Sequence, residues 1–184
     1  MSYLLPNQEE HLDRSGKHVI VRPAAPEDAE DLIKLKKRYI NGSDTIPLLV
    51  SEYLNTVEQE AALISQLNSS DNSLLLLAEQ HGKLIGNIDL IGSARSRMDH
   101  TAMLGVGLLL EARNRGIGSI LMNQAIEWAK YNPKLKLVWL DTYSSNLVGL
   151  TLYDKMGFKV AGVVPGFFEQ NGQSHSKVQM YLKV

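Results

Sequence analysis

One stretch, Leu-Leu-Leu-Glu-Ala-Arg-Asn-Arg-Gly-Ile-Gly-Ser at residues 108–119, most constrains the fold of this chain, because it predicts where a strand ends and a helix begins. The run before the turn, residues 101–110, is uncharged and almost wholly apolar, which is typical of a short strand buried on both faces. After the turn, apolar residues recur at helical spacing as far as Trp128. The stretch therefore predicts a strand, a turn and a helix in succession.

The turn itself has the composition of an anion-binding site. Gly116 and Gly118 let the backbone adopt positive φ and approach a ligand closely, and the helix that follows offers unpaired N–H groups with a partial positive charge. Arg113 and Arg115 would oppose that charge unless an anion sits there, and guanidinium groups suit phosphate oxygens. On this stretch alone, a strand–helix connection with solvated charges stays an open alternative.

Two common phosphate-binding motifs do not fit this turn. A P-loop needs a lysine after its second glycine, whereas Ser119 follows Gly118. The dinucleotide-binding motif needs a third glycine and places its glycines in the turn, whereas Gly105 and Gly107 lie inside the predicted strand. The sequence therefore disfavours nucleotide hydrolysis and dinucleotide binding.

Composition narrows the class of protein further. A chain of 184 residues with 44% hydrophobic residues predicts one domain over residues 17–184, preceded by an N-terminal extension at residues 1–16. The net charge of −1 provides no general basic face, so no nucleic-acid partner is expected. The absence of cysteine excludes disulfides and a cysteinyl acyl-enzyme. No apolar run reaches the roughly 20 residues of a membrane-spanning helix, so we expect a cytoplasmic protein without a membrane partner.

The order of predicted elements is β, α, α, β, β, β, α, β, α, β, β, beginning with a strand at residues 18–22. Three successive antiparallel strands are expected between residues 73 and 110. The long helix at residues 117–131 should bring the next strand, residues 135–142, parallel to the central one. The fold class predicted is therefore α/β (α+β), with a mixed sheet of six to seven strands and about four helices.

A second motif lies at residues 146–158, Asn-Leu-Val-Gly-Leu-Thr-Leu-Tyr-Asp-Lys-Met-Gly-Phe. Asn146 and Tyr153 are seven residues apart, so a helix places them on nearly the same face. Taken alone, they would be a helix-capping asparagine and a core tyrosine. Because the first motif lies upstream, these two structural roles have to be weighed against a shared role of both residues in one site.

The two motifs together closely resemble those of the GCN5-related N-acetyltransferase (GNAT) family. The resemblance rests on Arg113-x-x-Gly116-x-Gly118 and on the Asn146-to-Tyr153 motif, and it covers roughly residues 19–184. It implies the GNAT fold, with a central sheet splayed between its fourth and fifth strands. Gly149 departs from the alanine common in relatives, which weakens the helix by up to about 1 kcal/mol without removing a functional group.

The resemblance implies acetyl-CoA as cosubstrate and direct acetyl transfer to a primary amine of a small molecule or protein N-terminus; the alternative is a non-catalytic acyl-CoA-binding module. Tyr153 would protonate or hydrogen-bond the leaving thiolate, Asn146 would bond the pantetheine, and Gly105 or Gly107 would permit a bulge in the central strand. An amide near residues 106–108 would stabilise the oxyanion, and no metal is needed. The cofactor-binding residues implied are Leu108, Leu109, Leu110, Arg113, Asn114, Arg115, Gly116, Ile117, Gly118, Ser119, Asn146 and Tyr153.

The acceptor side stays open at this level. An ammonium acceptor must lose a proton before it attacks, and Glu52, Asp89 and Asp141 are candidates to take it, directly or through water. Phe167 and Phe168 are expected to line the acceptor pocket or an oligomer contact, and a homodimer is compatible with such a fold. The sequence does not choose among these alternatives.

Overall fold

The computed structural model describes residues 5–184, and over this range it contains one sheet of eight strands and four α-helices. The strands are β1 (Glu9–Leu12), β2 (His18–Pro23), β3 (Leu74–Gln80), β4 (Lys83–Gly92), β5 (Thr101–Leu108), β6 (Leu137–Tyr143), β7 (Lys159–Gln170) and β8 (Gln173–Lys183). The helices are α1 (Ala29–Asn41), α2 (Val57–Ser69), α3 (Ile117–Tyr131) and α4 (Leu147–Lys155). In this part of the chain no helix is both long and apolar enough to cross a membrane.

The strands lie in the order β1-β2-β3-β4-β5-β6-β8-β7, which confirms the predicted mixed sheet. The parallel pair is β5 with β6, joined by the crossover helix α3. The sheet has one strand more than the six to seven predicted, because Glu9–Leu12 pairs antiparallel with β2. This segment has no apolar alternation and therefore no strand signal of its own; backbone pairing brings it into the sheet.

The sheet is splayed between β5 and β6. Their pairing is confined to Thr101, Ala102 and Met103 of β5, so the rest of β5 has no strand partner on that side. Counted from β2, the first strand that the sequence predicted, these are the fourth and fifth strands, and the predicted splay is confirmed. The predicted bulge is wrong, since β4 and β5 pair without a register shift along their length.

Helices cover both faces of the sheet. A Cβ on Gly107 would meet the ring of Tyr39 on α1, whereas the next residue, Leu108, faces Gly118 of α3 on the opposite side. A Cβ on Gly118 would also lie 3.2 Å from Leu152, which puts α4 beside α3. Burial on both faces explains why β3 begins with a continuous run of buried apolar residues instead of an alternating pattern.

Helix α2 begins at a capping box, which the spacing of Thr56 and Gln59 in the sequence is typical of. The Thr56 hydroxyl accepts a hydrogen bond from the Gln59 amide at 3.3 Å, and the Gln59 side chain accepts one from the Thr56 amide at 2.9 Å. Both bonds satisfy N–H groups that have no partner within a helix. The helix start is thus fixed by local sequence.

Candidate active site

The loop between β5 and α3 forms a cradle of backbone N–H groups. Asn114 and Gly116 have positive φ angles of 61° and 83°, and Gly116 is the residue before the first turn of α3. That turn has neither a side-chain cap nor an acidic residue. The amides of Ile117, Gly118 and Ser119 lie too early in the helix to find a carbonyl within it. The loop therefore has the positive φ expected at Gly116, whereas Gly118 is helical and Asn114 has the second positive φ; anion binding here stays a prediction.

Arg115 is a structural anchor. Its guanidinium pairs with Asp13, whose side chain is fully buried, and also donates to Oε1 of Gln80 at 2.6 Å. Hydrogen bonds from the Ser15 hydroxyl and from Arg115 help to hold the pKa of Asp13 well below its usual range. The charge of Arg115 is thus balanced inside the protein, and this side chain is not oriented as a free phosphate ligand.

Two other arginines border the loop. Arg113 is half-buried, and its Nε donates to the carbonyl of Leu108 at 3.3 Å. The exposed side chain of Arg14 lies over Gly116, since its Cγ is 3.2 Å from where a Cβ would be placed on that glycine. Arg14 was not recognised from the sequence, because it lies in the N-terminal segment and is brought to the loop by tertiary contacts: its amide donates to the Arg115 carbonyl at 2.9 Å, and its neighbour Asp13 pairs with Arg115.

Backbone groups at Leu108–Leu110 hold the end of β5 in place. The Leu109 amide donates to Ile85 at 3.0 Å, the Leu109 carbonyl accepts from Ala112 at 3.0 Å, and the Leu110 carbonyl accepts from Arg113 at 3.2 Å. The edge of β5 that has no strand partner lies earlier, between Met103 and Leu108, where β5 faces the splay.

Asn146 caps α4. Its Oδ1 accepts from the Gly149 amide at 3.0 Å, and its Nδ2 donates to Oγ1 of Thr142 at 3.0 Å. A Cβ at position 149 would lie 2.3 Å from that Nδ2, so the glycine gives the cap its room. The capping interpretation is thus confirmed, and one N–H of the amide is left over for another partner.

Tyr153 lies on α4, 8% exposed, with its ring tilted against Phe158 at 6.2 Å between centroids. Burial raises the pKa of its hydroxyl to about 12, so the group is protonated at neutral pH. The hydroxyl makes no hydrogen bond within residues 5–184. A protonated, unengaged hydroxyl in this position is able to act as an acid.

The three candidate bases have very different surroundings. Glu52 is exposed and accepts a hydrogen bond from the Leu49 amide at 2.7 Å. Asp141 is exposed and accepts from Lys177 and Gln179, each at 3.2 Å. Asp89 is partly buried, and burial raises the pKa of its carboxyl to about 6. Of the three, Asp89 has the surroundings of a base.

A buried ion pair connects α1 and α2 on the same face of the sheet as Asp89. Lys36 Nζ contacts Oε1 of Glu60 at 2.7 Å, and Oε2 of Glu60 accepts from the Tyr53 hydroxyl and from Asn55. Lys36 belongs to a run of basic residues on α1 that, from the sequence, is predicted to be a solvated helix face; this is wrong for Lys36, whose side chain is buried against Glu60. Nothing in the residues around Lys36 indicates that a carboxylate far away along the chain will pair with it.

The aromatic pair at Phe167 and Phe168 divides between two environments. Phe168 stacks on Tyr143 at the end of β6, with 3.9 Å between ring centroids, whereas Phe167 is exposed with Lys177 Nζ over its ring at 4.2 Å.

Across residues 5–184 no cluster of three metal-ligating side chains occurs.

A model of the acetyltransferase (GNAT) family matches residues 44–158, and the chain belongs to that family. It is 26% identical over 98 residues to the L-amino acid N-acetyltransferase AaaT of Escherichia coli; this alignment takes in 53% of the chain and 60% of the relative, less than two thirds of its length. The crystal structure of a GNAT-family acetyltransferase from Streptococcus pneumoniae has a TM-score of 0.88 at 28% identity, covering 90% of this chain and 99% of that one. The fold also matches yncA from Salmonella typhimurium, whose structure includes its cofactor acetyl-CoA, with a TM-score of 0.78 at 16% identity over 90% and 93% of the two chains.

Proposed function

We propose that this chain transfers the acetyl group of acetyl-CoA directly to a primary amine of a small molecule or of a protein N-terminus. The observation that carries the proposal is the splay between β5 and β6, bordered by an N–H cradle at the start of α3 and by the helix that bears Tyr153. Family membership and the acetyl-CoA bound to yncA support it.

The residues present suit acetyl-CoA. The amides of residues 114–119 would hold the pyrophosphate, since the Arg113 amide already donates to the Leu110 carbonyl, and Arg14 and Arg113 would supply positive charge at the same loop. Backbone groups on the open edge of β5, as far as Leu108, would align the pantetheine arm as an added strand; those of Leu109 and the Leu110 carbonyl are already bonded within the protein. The remaining N–H of Asn146 would donate to that arm.

Bound acetyl-CoA supplies an activated thioester, so the protein needs to orient the two reactants more than to activate them. The chain has no cysteine that could carry an acyl group, which favours direct attack by the amine. The Tyr153 hydroxyl donates a proton to the departing thiolate, and an amide of β5 near residues 106–108 stabilises the oxyanion.

The substitution Tyr153→Phe tests this assignment. We expect turnover to fall by roughly 100-fold or more, because the acid is lost, while acetyl-CoA affinity measured by calorimetry stays nearly constant. Tyr131→Phe, at the exposed C-terminal end of α3, is the matched control and should behave as the wild type. Unchanged turnover in Tyr153→Phe would refute the acid role.

The acceptor is identified by following CoA release with polyamines, aminoglycosides, amino acids and peptide N-termini. We expect at least one class of amine to be acetylated. Acetyl-CoA binding without acetylation of any of them would instead support a non-catalytic acyl-CoA-binding module.

A further inference from the structure

The carboxylate of Asp89 extends over β5 at a position where that strand has no side chain. Asp89 on β4 pairs with Gly105 on β5, and a Cβ on Gly105 would lie 2.8 Å from Oδ1 of Asp89. At Gly105, β5 has already lost its pairing with β6, which ends at Met103. Because neighbouring strands lie about 4.8 Å apart, the carboxylate is roughly one strand spacing from the splay.

One oxygen of this carboxylate is held and the other is free. Oδ2 accepts a hydrogen bond from Nδ2 of Asn87 at 3.4 Å, whereas Oδ1 accepts none from the residues that the structure describes. Asn87 is 1% exposed, and its own Oδ1 lacks a hydrogen-bond partner within the described chain. Asp89 as a residue is partly exposed. The pair therefore holds a carboxylate in place with one oxygen left for a ligand.

The charges around Asp89 favour a cation. Lys36 and Tyr39 face it from α1 and Glu60 from α2, and the residue opposite on β3, Leu75, is apolar. Burial is the main cause of the raised pKa of Asp89, Glu60 adds to it and Lys36 opposes it. One cation and two anions leave this crevice with a net charge of −1. An ammonium group is stabilised there, and a carboxylate is repelled.

Asp89 and the helix that bears Tyr153 lie on opposite faces of the sheet. Gly107 and Gly105 share the α1 face with Asp89, whereas Leu108 faces Gly118 and the helix of Tyr153. A thioester in the splay would thus meet its nucleophile on one face and lose its thiolate on the other.

Resting on the proposed function, we propose that Asp89 is the general base of acetyl transfer and that the acceptor is a cationic primary alkylamine bound over Gly105. Asp89 takes one proton from the ammonium group, directly or through one water. The amine nitrogen then forms a bond to the thioester carbonyl carbon, and the C–S bond breaks with its electron pair leaving on sulfur. Tyr153 protonates that sulfur and regains a proton, through solvent, from the second one that nitrogen loses. The products are the amide, CoA and one proton released to solvent.

The test compares two acceptors of nearly equal shape. At pH 7.5 ethylamine is a cation, whereas 2,2,2-trifluoroethylamine is already neutral and needs no base before attack. We expect Asp89→Asn to lower kcat/KM for ethylamine by roughly 100-fold, and for trifluoroethylamine by less than about 10-fold. With ethylamine, kcat/KM of the wild type should also fall below about pH 6, where Asp89 becomes protonated, and the profile of the variant should have no break at that pH.

Asp141→Asn is the matched control, since it neutralises an exposed carboxylate that is bonded to Lys177. It should leave kcat/KM for both amines nearly unchanged. Calorimetry with acetyl-CoA shows whether Asp89→Asn is folded, and the ethylamine pH profile of the wild type tests the base without any variant. An equal loss on both amines, or kcat/KM that stays flat through pH 6 in the wild type, would overturn the assignment to Asp89 alone. A wild type that binds acetyl-CoA and acetylates no amine would overturn the proposed function and this inference with it.

Discussion

Adding a methyl group at Gly107 should destabilise the protein through one identifiable contact. An ideal Cβ there would lie 2.4 to 2.8 Å from three carbons of the Tyr39 ring, well inside van der Waals contact. Gly107 is paired with Asn87 in an unbroken ladder, so the strand cannot move away easily. Overpacking of this kind costs about 1–3 kcal/mol, and the lower backbone entropy of alanine in the unfolded chain offsets about 0.4–1 kcal/mol. We therefore expect Gly107→Ala to lower the free energy of unfolding by about 1–2 kcal/mol.

The assay measures the free energy of unfolding in urea for the wild type, for each single variant and for the double variant, which together form a double-mutant cycle. A loss of this size corresponds to a fall in Tm of about 2–8 °C for a chain of this length. In a Tyr39→Ala background the ring is absent, so Gly107→Ala should cost almost nothing, giving a coupling energy of at least about 1 kcal/mol. Gly162→Ala is the matched control, because nothing lies within 4 Å of its Cβ position. If the effects of the Gly107 and Tyr39 substitutions simply add, the contact is not the cause.

Two further predictions concern buried ion pairs. A carboxylate with a lowered pKa stabilises the folded protein at neutral pH, and this stabilisation is lost as the pH falls through its folded-state pKa. Asp13→Asn removes this carboxylate, so the variant should lose less stability below about pH 4 than the wild type does. Urea unfolding between pH 3 and 7 measures this, and an unchanged pH dependence would contradict it. Lys36→Met should lower the free energy of unfolding by about 3 kcal/mol, because it leaves Glu60 buried without its cation. Denaturant unfolding that matches the wild type would show that the hydrogen bonds from Tyr53 and Asn55 suffice to compensate Glu60.

The regular elements were largely predictable because their signals are local. The capping box at Thr56, the apolar run of β3 and the helical spacing that ends near Tyr131 each involve residues close together in the chain. The edge strand Glu9–Leu12 was not predictable in this way, since its residues carry no strand pattern and its pairing with β2 gives it its conformation.

In the candidate site too, the features with local signals were predictable and the others were not. The glycines of the loop before α3 and the Asn146-to-Tyr153 spacing lie in continuous segments, so their backbone geometry could be anticipated. The partners of individual side chains could not. Arg115 has the sequence context of a phosphate ligand, yet it pairs with Asp13, which lies far from it along the chain.

The sequence by itself thus determined the order of the elements and the loop in which amides are unpaired, because these follow from short-range backbone preferences, and its two motifs indicated the family. Only the tertiary structure decided which charged groups are balanced internally and which are free. Asp89, Glu52 and Asp141 all have carboxylate side chains and the sequence does not choose among them, but Asp89 alone of the three extends over a glycine beside the splay. The physical reason is that pKa and accessibility depend on desolvation and on charges brought together by folding, and these are properties of packing rather than of neighbouring residues.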